Sequence, residues 1–474
     1  MLDHEPSWPP KDLYTTGWVT GFFWHPDTRA DTAPGILEYE PKRAISLALM
    51  DSVTRDEGER QHRQALGRTP VLHGITADGT ALTLLGGIGP NTSTNYRDIG
   101  MPGATSRVTQ ETYRFNQALI GTHITTPAAD GFSSARITFS DLMAWIDESA
   151  FTEERRHDPL RLTATAQPLP GITCRIPACD ATIRIDGALD AAFAAGGPPR
   201  WLYTPYVDVT PDSPQPLAWY QQKASDLRML IAFCTFSTNG ISGCSLRRDS
   251  AMERVSVVWL TWADPPTTLV RADQCPVTLS AIRAYVDTFF NNWFVLVEQV
   301  RPSLELLNAV LYGGLGISTF SFLALTQATE HFHDTLYPKT HEDPVAFRQH
   351  RRPILRAIPA DTPDAVRTAL CSAIGDANRY SLRERLNALI AELGPLQSIL
   401  GDHPEADMKA IVKARNNLAH HAVAPVPQRQ VSGYARQLEI LLLAHIYKRL
   451  GVSGDTIRLG LGGLKLSLRF LAQP

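Results

Sequence analysis

The segment from Lys413 to His421 combines residue types that suit the cleavage of RNA. The imidazole of His420 has a pKa near neutrality, so it can take the proton of a ribose 2′-hydroxyl or protonate the leaving oxygen. The guanidinium of Arg415 offers a planar fork of donors to a phosphate on which negative charge accumulates. This route needs no metal ion and yields a 2′,3′-cyclic phosphate and a 5′-hydroxyl. We therefore take Arg415, Asn416 and His420 as candidate catalytic residues and His421 as a candidate substrate-binding residue.

A straight helix would place these side chains on different faces. Arg415 falls in the middle of an apolar stripe, where a guanidinium needs an ion-pair partner or a ligand because burial of an unpaired charge is costly. The stripe consists of Met408, Ile411, Val412, Leu418 and Ala419. Asn416 and His420 are i, i+4 neighbours that can hydrogen-bond, whereas Arg415 and His420 point about 140° apart. The latter two meet only if the helix ends or bends near Ala419, or if a second copy of the segment lies across an interface.

The overall charge does not by itself predict a nucleic-acid-binding protein. The 474 residues include 45 Lys and Arg against 48 Asp and Glu, which gives a formal net charge of −3. No apolar run approaches the ~20 residues needed to span a membrane, and the first residues lack the pattern of a signal peptide. The six cysteines lack the spacing usual in zinc knuckles. We expect a cytoplasmic protein with reduced thiols, no membrane segment, no metal and no other cofactor.

Up to about residue 264, the sequence has the pattern of short strands separated by turns. The segment 17–24 is rich in aromatic and β-branched residues and ends at a His-Pro-Asp turn. Two runs at 71–74 and 80–85 are joined through Asp78-Gly79, where an Asp-Gly pair supplies the positive φ of a tight turn. Further strands are predicted at 35–39, 44–49, 135–139, 161–166, 181–185, 229–236 and 254–262. This series of short strands separated by turns predicts an antiparallel sandwich or a barrel-like domain.

From about residue 280, the apolar residues recur with the period of α-helices. Ser381 and Glu384 form a capping box, and Gly394 is a matching stop signal. Helices are predicted over 281–300, 318–337 and 430–450, with others that begin at Thr362-Pro363 and near Asp402. The sequence therefore predicts an α+β fold with three parts. These are a β-rich domain over 1–279, a helical linker over 280–317 and an α-helical bundle over 318–474.

The candidate motif resembles the signature of the HEPN ribonucleases. Arg415, Asn416 and His420 match the R-N-x3-H pattern of these small helical-bundle domains, which work as dimers. The helix that carries Glu330 is similar to the first HEPN helix, although it has Ala-Thr-Glu where Ala-Leu-Glu is expected. His421 is an additional histidine, so the choice of the histidine that points into the site stays open.

The N-terminal half extends this resemblance. The segments 35–39, 72–85 and 132–145 are similar to the N-terminal domain of ApeA-type anti-phage proteins, and the resemblance covers about residues 15–450. It implies a ribonuclease of abortive anti-phage defence that cleaves RNA, with tRNA as the first substrate to test. It also implies a homodimer formed through the HEPN domain and an N-terminal domain that responds to an unknown phage trigger.

Other interpretations of the same residues stay open at this point. Arg415 is equally suited to a structural ion pair, and His420 is equally suited to capping the end of the helix. A helical bundle that binds RNA or protein without cutting, next to a β domain that binds a ligand, is the alternative function. The basic run 348–352 is suited to RNA phosphates, but equally to contact with solvent.

Overall fold

The computed structural model describes residues 8–53, 68–98, 105–126, 131–157, 160–192, 200–248, 254–259, 270–312, 318–419 and 427–471. The chain divides into two compact units, one of Met1–Ala272 with Thr278–Ser280 and one of Asp273–Val277 with Ala281–Pro474. The first unit is rich in strands and the second is helical. This division of secondary structure confirms the predicted α+β fold class.

Among the described residues, the strands lie in the first unit and most of the helices lie in the second. The strands are β1 (Gly17–Trp24), β2 (Ala33–Tyr39), β3 (Ile45–Leu49), β4 (Arg68–Thr76), β5 (Ala81–Asp98), β6 (Thr105–Phe115), β7 (Gln117–Ile120), β8 (Ser134–Phe139), β9 (Phe151–His157), β10 (Leu160–Ala166), β11 (Ile172–Ile176), β12 (Ala181–Ala192), β13 (Arg200–Pro211), β14 (Ile241–Arg247) and β15 (Val255–Trp259). The helices are α1 (Leu142–Ile146), α2 (Leu217–Thr235), α3 (Leu279–Ile282), α4 (Val286–Tyr312), α5 (Thr319–Leu336), α6 (Pro344–Arg356), α7 (Asp364–Asp376), α8 (Leu382–Leu393), α9 (Pro404–Ala419), α10 (Gln428–Leu450) and α11 (Gly454–Leu471).

Six strands of the first unit close into an antiparallel barrel. Hydrogen-bonded neighbours follow the ring β4-β1-β2-β3-β6-β5, and β5 pairs again with β4. Closure gives each strand of the ring a partner on both sides, which removes the exposed edges that an open sheet presents. The interior is filled by alternate apolar side chains, among them the buried Phe23, Leu37, Leu47, Leu72 and Leu84.

Strand β5 is long enough to belong to the barrel and to connect it with the rest of the same sheet. Over 82–85 it pairs with both β4 and β7, and beyond Ile88 it pairs with β6. Gly86 and Gly89 have positive φ values of 65° and 123°, and the pairing register with β6 shifts between Ile88 and Asn91. These features bend the strand at the corner of the barrel. From β7 the sheet continues through β15, β14, β8, β13 and β12 to β11.

Helix α2 packs on β8 in this second part of the sheet. The sequence predicts a strand over 229–236, and this prediction is wrong because residues up to Thr235 form the last turns of α2. Every residue from Met229 to Thr235 is buried, so the segment has no polar face. A continuous apolar run of this length has the pattern of a buried strand, and periodicity alone does not distinguish the two.

The second unit is organised around α10. Every residue from Leu438 to Tyr447 is buried, as expected for a helix at the centre of its domain. Helices α4, α5 and α8 pack on α10, so the segment predicted as a linker contributes α4 to the second unit. Among the residues that the structure describes, no helix is both long enough and apolar enough to cross a membrane.

The predicted capping box at the start of α8 is present. The Ser381 hydroxyl accepts a hydrogen bond of 3.4 Å from the backbone N–H of Glu384, and the Glu384 carboxylate accepts one of 2.8 Å from the backbone N–H of Ser381. The hydrogen bonds from Ser381 lower the pKa of the Glu384 carboxyl. The helix ends at Gly394, whose φ is 56°. Both ends of α8 are thus fixed, and α9 packs on this helix.

Candidate functional site

Helix α9 carries Arg415 and Asn416, two of the three candidate catalytic residues, and is held in the bundle by one face. Met408, Ile411 and Ala414 on that face are buried, and the helix contacts α8, α10 and α5. Nε2 of Gln437 on α10 donates a hydrogen bond of 2.6 Å to the Asp407 carboxylate, which adds a polar link between the two helices. Arg415 and Asn416 are therefore positioned by a packed helix rather than by a loop.

Arg415 lies at the border of this buried face. Its side chain is half-buried, and its Nη1 donates a long hydrogen bond of 3.4 Å to Oδ1 of Asn416. The sequence predicts Arg415 in the middle of the apolar stripe, but Val412 is only half-buried and Ala414 is buried, so the buried face is centred further round the helix. Among the described residues, no carboxylate lies within ion-pair distance of Arg415. Its guanidinium therefore keeps most of its donors for a ligand.

The structure brings Arg415 and Asn416 together, and the two motif histidines follow them in the chain. Asn416 is exposed, so its amide is accessible to a neighbouring group. His420 and His421 lie outside the described residues, which reach Ala419 in this part of the chain. The predicted hydrogen bond between Asn416 and His420 stays a prediction.

A second group of polar and aromatic side chains lies inside the bundle, and no sequence pattern singles it out. The ring of His333 on α5 stacks on Tyr337 at a centroid distance of 5.4 Å. Nε2 of His445 on α10 lies 2.9 Å from the backbone oxygen of Leu389, and Nδ1 lies 3.2 Å from the Tyr337 hydroxyl. Because a carbonyl oxygen only accepts, Nε2 carries the proton and Nδ1 accepts from Tyr337.

Burial keeps both of these imidazoles neutral at neutral pH. The His445 side chain is 1% exposed, and desolvation lowers its pKa from 6.5 to about 4. Desolvation also lowers the pKa of His333, whose ring nitrogens have no hydrogen-bond partner among the described residues. An enclosed, neutral imidazole is badly placed to exchange protons with a substrate, so we assign His445 to the packing of the bundle. The described residues hold no group of three or more His, Cys, Asp and Glu arranged for a metal ion.

We expect the lowered pKa of His445 to make the protein less stable in weak acid. The unfolded chain protonates His445 below about pH 6.5, whereas the folded chain does so only near pH 4. The stability contributed by the neutral ring is present above pH 6.5 and is lost as the pH falls toward 4. Between pH 7 and pH 5, the wild type should lose about 2 kcal/mol more than His445→Gln. Urea unfolding at both pH values measures the difference, and equal losses in the two proteins would contradict it.

Two family models match separate parts of the chain. Residues 19–166 match the model of ApeA N-terminal domain 1, and residues 323–456 match the model of Apea-like HEPN. The first match extends from β1 to β10 and includes the barrel, and the second includes the whole of α9. Arg415, Asn416 and both motif histidines thus lie within the HEPN match. Comparisons with curated proteins and with solved structures gave no match.

Proposed function

The chain belongs to the ApeA-type HEPN proteins, and on this basis we propose that it is an endoribonuclease of anti-phage defence. The main support for the proposal is the environment of the Arg415 side chain, which lies within the HEPN match. Its guanidinium is half-buried on a helix that packs in the bundle, and it has no carboxylate partner among the described residues. Such an arginine can bind an anion without first breaking an ion pair, and RNA offers an anion at every phosphate.

In the proposed reaction, Arg415 donates hydrogen bonds to the scissile phosphate and offsets the charge that accumulates there. The adjacent 2′-hydroxyl loses its proton as its oxygen attacks phosphorus, and the departing 5′-oxygen gains a proton. His420 performs one of these two transfers, and water or the His420 of the second protomer performs the other. Asn416 orients the histidine, and His421 contacts the substrate. The P–O5′ bond breaks, which leaves a 2′,3′-cyclic phosphate on one fragment and a 5′-hydroxyl on the other. No metal ion takes part in these steps.

The proposal extends to how the nuclease is assembled and controlled in the cell. The helical unit forms a homodimer, so that two copies of the motif meet at one interface. The β-rich unit responds to a phage trigger and restrains the nuclease in the cytoplasm until that trigger arrives. Restraint is expected because an unregulated ribonuclease would destroy the RNA of its own cell.

Incubation of the purified protein with RNA in the presence of EDTA tests the proposed activity. With total RNA, and with tRNA as the first defined substrate, we expect cleavage that survives chelation and leaves cyclic phosphate ends. His420→Ala should abolish cleavage, whereas His421→Ala should weaken binding of the substrate. Intact RNA with retained binding by the wild type would contradict the nuclease and favour a non-catalytic RNA-binding module. Loss of cleavage on addition of EDTA would contradict a metal-independent reaction.

A further inference from the structure

Helices α6 and α7 form a hairpin that lies outside the hydrophobic core of the second unit. Both helices are fully described, and neither buries a side chain. The two helices pack on each other, yet Val345 is 61% exposed and Ile354 is 50% exposed. Since stability from burial scales with the apolar area removed from water, this hairpin contributes little to the stability of the domain. We therefore look for the role of the hairpin in its exposed side chains.

The base of the hairpin is nevertheless held firmly. Asn378, which is 5% exposed, accepts a hydrogen bond of 2.9 Å from the backbone N–H of Glu342 and donates one of 3.0 Å to the Glu342 carbonyl. The backbone oxygen of Asn378 accepts from the N–H of His341 at 2.9 Å, and an antiparallel bridge pairs Thr340 with Arg379. These hydrogen bonds clamp the two ends of the hairpin together. The fold thus fixes the direction of a hairpin that adds little to its core.

One face of α6 presents three arginines, which we call the arginine row. All three are exposed, and their four-residue spacing separates them by about 6 Å along the helix with a drift of about 40° per step. The row consists of Arg348, Arg352 and Arg356. None of them has a carboxylate within ion-pair distance among the described residues. Like charges four residues apart on a helix repel each other, so the row is unfavourable until an anion neutralises it.

Three other exposed cations of the same unit each pair with a carboxylate. Arg379 lies 3.4 Å from the Asp376 carboxylate, Lys448 lies 3.1 Å from Glu392, and Arg458 lies 2.9 Å from Asp455. Arg383, Lys409 and Arg429 are also exposed with no carboxylate within ion-pair distance among the described residues, so the arginine row is distinguished by its regular spacing along one helix face. The three paired cations supply a matched control, because the same number of charges can be removed from these positions.

We propose that the arginine row binds the phosphate backbone of the RNA substrate. This inference rests on the proposed function, since the row lies in the same helical unit as Arg415. Guanidinium groups bind phosphate oxygens through paired N–H donors, and a row of them along one helix follows successive phosphates of a strand. Contacts of this kind position RNA without reading its sequence. In this proposal the row holds the substrate, and the motif residues Arg415, Asn416 and His420 cut it.

The test compares the triple variant R348A/R352A/R356A with the control R379A/K448A/R458A, which removes the same charge from paired positions. Binding is measured with a 2′-O-methylated RNA, whose blocked 2′-oxygen prevents cleavage by the proposed route. In ~50 mM salt, we expect about tenfold weaker binding by the row variant and less than twofold by the control. The slope of log Kd against log salt should fall by about 2, because each lost phosphate contact removes ~0.7 on single-stranded RNA. Asn378→Ala keeps every arginine but loosens the clamp, so it should also weaken binding.

The outcomes separate this inference from the proposed function. If the wild type and the row variant bind and cut RNA equally well, the inference about the arginine row is wrong and the proposed nuclease activity is supported. If the wild type binds the probe but leaves unmodified RNA uncut, the proposed nuclease activity is contradicted. The binding measured for the row variant still tests the inference in that case. Unchanged binding with altered self-association in light scattering would overturn the inference and identify the hairpin as a surface between two copies of the chain.

Discussion

Arg415→Ala should lose RNA cleavage by about 10²–10³-fold while its melting temperature stays close to that of the wild type. The size of the loss follows from removal of a charged donor that acts on the phosphate as negative charge accumulates there. The small effect on stability follows from the structure, because Arg415 is half-buried and lacks a carboxylate partner among the described residues. Cleavage rates on a labelled RNA and thermal unfolding of the same samples measure the two effects.

Two companion variants make the Arg415 prediction specific. Lys413→Ala removes an exposed cation from the same helix, so it should cut RNA at a rate within a few-fold of the wild type. Arg415→Lys keeps the charge but loses the planar fork of donors, so it should recover only part of the activity. A large fall in the melting temperature of Arg415→Ala, together with dissociation of the protein, would show instead that Arg415 belongs to a structural ion pair.

Much of the fold can be predicted from local signals, because each of those signals has a local physical cause. The strand Gly17–Trp24 has the predicted bounds, and Gly79 has a φ of 88° in the turn where an Asp-Gly pair predicts a positive value. Ser381 and Glu384 form their capping box because the required partners lie three residues apart. Closure of the barrel is not predictable in this way. It depends on β5 pairing with β4 and β6 at once, which involves residues far apart in the chain.

The candidate site shows the same division between local and tertiary information. The helix that carries Arg415 is predictable from its apolar period, and α9 is helical from Pro404 to Ala419. The exposure of Arg415 depends on where α8 and α10 pack, and this displaces the buried face toward Ala414. The His333 and His445 cluster has no sequence signal, because its members come from two helices separated by about a hundred residues.

The active unit should be a dimer built through the helical domain. In the described structure α9 is helical through Ala419, and a continued straight helix would direct residue 420 about 140° away from Arg415. A second protomer can supply the missing partner group at an isologous interface, to which each subunit contributes the same surface. Light scattering at the assay concentration should therefore show a dimer or a larger assembly. A fully active monomer would contradict the prediction.

Mixing Arg415→Ala chains with His420→Ala chains shows how the two protomers share the site. Each variant alone should be inactive. If one site needs one arginine and one histidine from opposite chains, each mixed dimer retains one intact pair, and random mixing should restore roughly a quarter of the wild-type activity. If one site needs both pairs, mixed dimers stay inactive, and an excess of either variant should suppress the wild type. Absence of recovery, together with wild-type activity that neither variant suppresses, would show that each chain cuts alone, because the pairing of chains would then have no effect on the rate.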